Sequence, residues 1–276
     1  MFKLYEKQPN TIQYGKLYTL DLEVPYDNKP RTIRVWTPEG YNPDDKFTRY
    51  KVLYMCDGQN LVDRHTSAYG EWDMDVVCNN LTNEGYEPFI VVGIDSPSDG
   101  VKRENELCTP ITTRKVKGGP NNPIGNIFAD HLFGVVKPLI DANFNTLPDK
   151  ENTGIGGSSM GGLMAFYCYA YKKSYVGFSL CFSPAFFLYQ KDRFLRGMKE
   201  WNPNPKDYGK IFFFVGGKGF EKLFVARTLD MFNYLKKIEF SDEQVSLIYD
   251  SSQIHHESSW HIYSYNALRF WLKKLK

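Results

Sequence analysis

Residues 154–166 read GIGGSSMGGLMAF, five glycines and two adjacent serines set between one apolar segment and the next. Within them Gly157-Ser158-Ser159-Met160-Gly161 matches GxSxG, after a short strand-like run and before a helix-forming one. That is the context a nucleophile elbow requires. A serine held on a tight strand-to-helix turn needs a strained backbone with close neighbours, and flanking glycines tolerate both. Ser159 is the candidate nucleophile, Ser158 at the x position points elsewhere, and the Met160 N–H at the helix start is placed to meet an oxyanion. A glycine-rich turn before a helix can instead cradle a phosphate, but neither GxGxxG nor GxxxxGK[ST] fits the spacing here.

The chain around this stretch alternates strand-like and helix-like runs. Residues 16–24 and 31–38 alternate in polarity like half-buried strands joined through PYDNKP, an antiparallel start. Residues 51–56, 88–95, 153–158, 177–183, 210–217 and 244–250 are short and almost uniformly apolar, as strands covered on both faces are. Helical periodicity falls between them at 72–81, 127–143, 160–173, 221–237 and 258–274. The pattern predicts an α/β fold of about eight mostly parallel strands with helices on both faces, forming a single domain over residues 1–276. Two stretches, 96–125 and 186–209, break the alternation and are read as cap-like insertions of the kind that build pockets.

Composition narrows the class. The 276 residues are 42% hydrophobic and 24% charged, with a formal net charge of +2 and no basic stripe, so no nucleic-acid footprint is expected. No stretch has signal-peptide character or the roughly 18 uninterrupted apolar residues of a membrane span, and the expected location is cytoplasmic, away from membranes. Five cysteines without a CxxC pair, mostly inside apolar runs, read as buried reduced thiols.

A serine hydroxyl needs a base, and in hydrolases of this kind the partners follow in the order Ser, Asp or Glu, His. Of five histidines, only His255, His256 and His261 follow Ser159, all just after the last apolar strand. His256-Glu257 begins an HExxH pattern, but Trp260 stands where the second zinc ligand belongs, so no metal is expected.

CDGQN (56–60), GEW (70–72), VVGID (91–95), RENEL (103–107), GGSSMGG (156–162) and HHESSW (255–260) together resemble the Putative esterase family of α/β-hydrolases. That family includes enterochelin and other siderophore esterases, the S-formylglutathione hydrolase group, and feruloyl and acetyl xylan esterases. The resemblance covers most of the chain in order and implies the α/β-hydrolase fold and a serine carboxylic-ester hydrolase without a cofactor. Its HxExxW pattern falls on His255, Glu257 and Trp260, which selects His255 as the base. Its HDGQN loop falls on 56–60, with Cys56 in place of the usual histidine, so the loop at Gly58 and Gln59 is implied as the second oxyanion donor. The family acid follows the strand ending at Gly217, which makes Glu221 the candidate. A helix N-terminal carboxylate favoured by the macrodipole is the other reading of Glu221, and a Ser–His pair without an acid stays open.

The expected partner is a small ester of aromatic, siderophore or carbohydrate-linked type; oligomeric state is not specified. Phe186, Phe187, Tyr189 and Trp201 are candidates for the pocket wall, with hydrophobic packing as their other reading. Lys102, Arg103, Arg114, Lys115 and Lys117 could meet an anionic substrate, or form a solvated face; for Arg103, in the family-like segment, an internal ion pair with Glu106 is the other reading. A non-catalytic ligand- or protein-binding module on the same fold is the alternative function, against which an ordered serine and histidine argue.

Overall fold

The computed structural model describes residues 5–7, 11–67, 69–110, 120–189 and 191–275. Nine strands are described: β1 (Tyr5–Lys7), β2 (Lys16–Leu22), β3 (Arg31–Thr37), β4 (Lys51–Cys56), β5 (Phe89–Ile94), β6 (Thr153–Ser158), β7 (Phe178–Phe182), β8 (Lys210–Gly216) and β9 (Val245–Asp250). The α-helices are α1 (Met74–Asn83), α2 (Gly100–Leu107), α3 (Gly125–His131), α4 (Lys137–Asn143), α5 (Met160–Tyr171), α6 (Lys191–Trp201), α7 (Lys222–Lys237) and α8 (Glu257–Trp271). This is the α/β architecture expected, with β1 added to the eight strands. Residues 127–143, read as one helix, are interrupted by a π turn at Leu132–Val136. The turn lies just ahead of Pro138, which has no N–H to donate to the preceding turn.

The chain forms two compact units, one of Met1–Ser96, His131–Gly154 and His256–Lys276, the other of Pro97–Asp130 and Ile155–His255. In the first, the strand order is β1-β2-β3-β5-β4. The first three pairings are antiparallel and β4 pairs β5 in parallel. Every residue of β4 and β5 is buried, as their unbroken apolar runs require. A buried Arg34 on β3 holds Asp95, just past β5, with two hydrogen bonds of 2.7 and 2.8 Å. Its bidentate fork fixes the carboxylate in place.

The second unit carries the order β6-β7-β8-β9, with β7–β8 and β8–β9 parallel. Phe178, Phe182, Phe212, Phe213 and Phe214 are within 2% of complete burial, so the centre of this core is aromatic. Helix α5 lies on β7, and α7 on β8 and β9. The nearly all-apolar sequence of α5 follows from this placement, since nine of its twelve residues are buried.

Among the described residues no helix is long and apolar enough to cross a membrane. All five cysteines are buried and unbridged.

Candidate active site

Ser159 links β6 to α5 with φ 59° and ψ −119°. A residue with a Cβ adopts such a conformation only when its surroundings impose it. Those surroundings are hydrogen bonds: Ser159 N–H donates to the Phe182 carbonyl (2.9 Å), and the Ser159 carbonyl accepts from Leu163 and Ala185 N–H, each at 3.0 Å. The flanking glycines act by proximity rather than by positive φ. A Cβ on Gly157 would lie 2.7 Å from the Gly161 carbonyl carbon, and one on Gly162 only 2.6 Å from the Phe182 oxygen. The strain therefore rests on Ser159 itself, which is half-buried, while Ser158 is buried. Met160 opens a twelve-residue helix, so its N–H is among those without an intrahelical partner.

The next three strands end in further polar groups. After β7, Ser183 is fully buried at φ 43° and donates its N–H to the Phe214 carbonyl (2.7 Å). After β8, the turn Gly219–Glu221 leads into α7 and buries the Glu221 side chain completely. The Ser183 hydroxyl donates to Glu221 Oε1. After β9 comes His255, whose Nδ1 lies 3.5 Å from Glu221 Oε2. The Gln253 carbonyl accepts from Gly217 N–H (3.2 Å) and Lys218 N–H (3.0 Å), tying the approach to His255 to the end of β8. The His255 ring stacks on Phe224 at 4.4 Å and meets the edge of Phe220 at 5.3 Å. Packing thus orients the imidazole from one side while a buried carboxylate faces its Nδ1.

The three late histidines have separate positions. His256 caps α8, its Nδ1 accepting from Ser258 N–H at 3.1 Å with the Ser258 hydroxyl at 2.9 Å. His261 Nδ1 lies 2.8 Å from the Trp72 carbonyl and 3.6 Å from Asp73. Only His255 is joined to Glu221.

Gly58 and Gln59 form a turn of 3-10 helix after β4, entered through Asp57 at φ 58°. A Cβ on Gly58 would come within 2.6 Å of the Gly93 backbone, so this position demands glycine. The Gln59 side chain accepts from Ser96 N–H (3.0 Å), and Asn60 donates to the buried Glu257 (3.4 Å). Cys56 ends β4 as an ordinary buried side chain.

The proposed wall residues divide into two groups. Phe187 packs on Phe224 (4.9 Å) and belongs to the aromatic cluster around His255. Phe186 is core. Tyr189 and Trp201 instead line a cleft of about 40 Å³ with Phe166, Phe194 and Met231, room for a few waters rather than a ring. Of the basic residues, Arg103 on α2 is brought to Met160, its guanidinium 4.0 Å from the Met160 sulfur. Lys102 is exposed, and Arg114, Lys115 and Lys117 lie outside the described residues. Among the described residues no group of three or more His, Cys, Asp or Glu side chains could hold a metal ion.

Ser183 was not legible as a site residue, because its signal is a backbone angle and a contact across 38 residues. A buried polar residue ending an apolar strand, in FSLCFS, is the only trace of it in sequence.

Comparison with known proteins gives a match to the family model described as Putative esterase over residues 26–260. A curated relative, the endo-1,4-beta-xylanase/feruloyl esterase of Xylanibacter ruminicola, is 28% identical over 165 residues, covering 59% of this chain and 20% of that protein. The matched part is about a fifth of that relative's length. Among solved structures, the feruloyl esterase module from Clostridium thermocellum complexed with sinapinate has a TM-score of 0.68 at 17% identity, with 100% of this chain and 98% of that one covered. Siderophore hydrolase EstB from Aspergillus nidulans has a TM-score of 0.71 at 16% identity, with 93% and 95% covered. At these identities the likeness establishes the fold, that of the α/β-hydrolase esterases.

Proposed function

Because this chain belongs to the Putative esterase family, whose reaction is ester hydrolysis, we propose that it is a serine esterase working through an acyl-enzyme. In this reading Ser159 attacks the ester carbonyl while His255 takes its proton through Nε2. Glu221 faces Nδ1 and supports the imidazolium that forms. The Met160 N–H holds the developing oxyanion. His255 then returns the proton to the leaving alcohol, and water, activated by the same base, releases the acid. No cofactor enters the cycle. The family match runs through both compact units, which supports reading them as one esterase domain.

The observation that carries the reading is the conformation of Ser159, φ 59° and ψ −119° at a strand-to-helix junction. A half-buried serine in this conformation, between a strand and a helix, is what a nucleophile elbow requires. The substrate class we propose is a small aromatic, siderophore or carbohydrate-linked ester. The aromatic cluster of Phe187, Phe220 and Phe224 beside His255 supports an apolar group on the reacting ester. The named activities of the relatives, feruloyl esterase and siderophore hydrolase, support the same range. The test is hydrolysis of p-nitrophenyl acetate, methyl ferulate, acetylated xylan and a catecholate trilactone by the wild type and by Ser159→Ala. At least one should be turned over, with kcat reduced on the order of 10⁶-fold in the variant. A variant that keeps substantial activity excludes Ser159 as nucleophile.

A further inference from the structure

We infer that Ser183 is a positioning residue, orienting Glu221 toward His255 and tying that pair to the backbone of Ser159. The inference rests on the serine-esterase reading above. It begins from an oddity of conformation: Ser183 has φ 43°, a left-handed backbone that favours glycine or asparagine, yet it is a serine with no exposed surface. A glycine would adopt the angle without strain, so the side chain has to account for the choice. Its hydroxyl donates to Glu221 Oε1. A hydroxyl-to-carboxylate bond inside a protein is charge-assisted and directional, and it fixes the plane of a carboxylate that has no access to water. With Oε1 held, Oε2 is the oxygen left to face His255 Nδ1, at 3.5 Å.

The same corner also holds the nucleophile. The residue before Ser183 is Phe182, whose carbonyl accepts the Ser159 N–H at 2.9 Å, and Ala185 N–H returns to the Ser159 carbonyl at 3.0 Å. Ser183 N–H is itself anchored to β8 through the Phe214 carbonyl at 2.7 Å. Residues 182–185 therefore join the elbow to the carboxylate, and a change at the Ser183 hydroxyl reaches the reaction through Glu221 rather than through substrate. The ends of four strands contribute in order: Ser159 after β6, Ser183 after β7, Glu221 after β8 and His255 after β9.

The experiment is a double-mutant cycle on full-length protein, with p-nitrophenyl acetate as substrate and melting temperature recorded for each variant. Ser183→Ala is expected to lower kcat roughly 10- to 100-fold, the rate equivalent of a lost hydrogen bond to a charged group, with KM unchanged within about twofold. Ser183→Cys, which keeps the shape and a weak donor, should fall between it and the wild type, and remains informative if the alanine variant does not fold. The double variant Ser183→Ala, Glu221→Ala should be no slower than Glu221→Ala alone, because Ser183 acts only through that carboxylate. A folded Ser183→Ala with wild-type kcat overturns the inference, as do losses that multiply in the double variant or a Ser183→Cys as impaired as Ser183→Ala. These outcomes are separable from failure of the esterase reading, which shows as a wild type no faster than Ser159→Ala.

Discussion

Replacing Gly162 by alanine should damage both the stability and the chemistry of the elbow, by amounts the geometry sets. The new Cβ would stand 2.6 Å from the Phe182 oxygen, 3.2 Å from the Gly157 oxygen and 3.3 Å from the Phe182 nitrogen. An ordinary carbon-to-oxygen approach is about 3.3 Å or more, so α5 and the end of β7 must separate by roughly 0.7 Å at a point where both are backbone. Overpacking of this kind costs about 1–3 kcal/mol. Alanine recovers about 0.5–1 kcal/mol of helix propensity, leaving a net loss of up to about 2.5 kcal/mol and a melting temperature a few degrees lower. The activity should suffer more. The displaced Phe182 oxygen is the acceptor of the Ser159 N–H, and a misplacement approaching 1 Å can cost on the order of 10²-fold in rate. Thermal melts and kcat on p-nitrophenyl acetate measure both effects. Gly197→Ala is the control, since a Cβ there meets nothing within 4 Å; it should gain stability and leave kcat unchanged. A Gly162→Ala enzyme that melts and turns over like the wild type would refute the proximity argument.

Two further substitutions test the carboxylates. Glu221→Gln keeps the volume but removes the charge facing His255, and kcat should fall on the order of 10³- to 10⁴-fold; a wild-type rate would mean that Ser159 and His255 act without an acid. Burial, followed by the neighbouring charge of Asp73, raises the Glu71 carboxyl to about 7. A carboxyl raised above its unfolded value favours the fold in its protonated form, so its contribution is fully present below about pH 4.5 and is lost as pH rises through 7. Glu71→Gln should therefore melt higher than the wild type at pH 8, by about 1–2 kcal/mol once solvent screening of this part-exposed group is allowed for, and the difference should vanish at pH 4. A difference that is independent of pH contradicts the assignment.

Much of this fold was legible because β4 to β8 are buried on both faces; β9, read the same way, is mostly half-buried and exposes Tyr249. β4 and β6 fall at the residues their apolar runs predict, and β5, β7, β8 and β9 within a residue or two at either end. The stretches read as insertions fared differently. Residues 96–125 contain α2, GVKRENEL, started by the Asp99 side chain accepting from Val101 and Lys102 N–H at 2.9 and 3.1 Å. Charged residues fill half of it and only Val101 and Leu107 are apolar, so apolar periodicity could not announce it. Residues 186–209 contain α6, in which Phe194, Met198 and Trp201 do recur at helical spacing; the glycine at 197 and the prolines that follow the helix point instead toward an insertion. At the site, the choice of His255 over His256 required family resemblance, because two adjacent histidines look alike until one of them caps α8. Glu221 could be placed after its strand, but its burial and its contact with Ser183 are properties of the packed chain. Ser183 itself carries no motif, and positive φ at a non-glycine residue leaves no mark in sequence.

The central claim, that Ser159 is a nucleophile activated by His255, is tested most directly by a fluorophosphonate probe followed by peptide mass analysis. The account predicts one adduct per chain, on Ser159, forming at least on the order of 10²-fold more slowly in a folded His255→Ala variant as the base is lost. Folded wild-type protein that takes no label, or takes it at any residue other than Ser159, contradicts it.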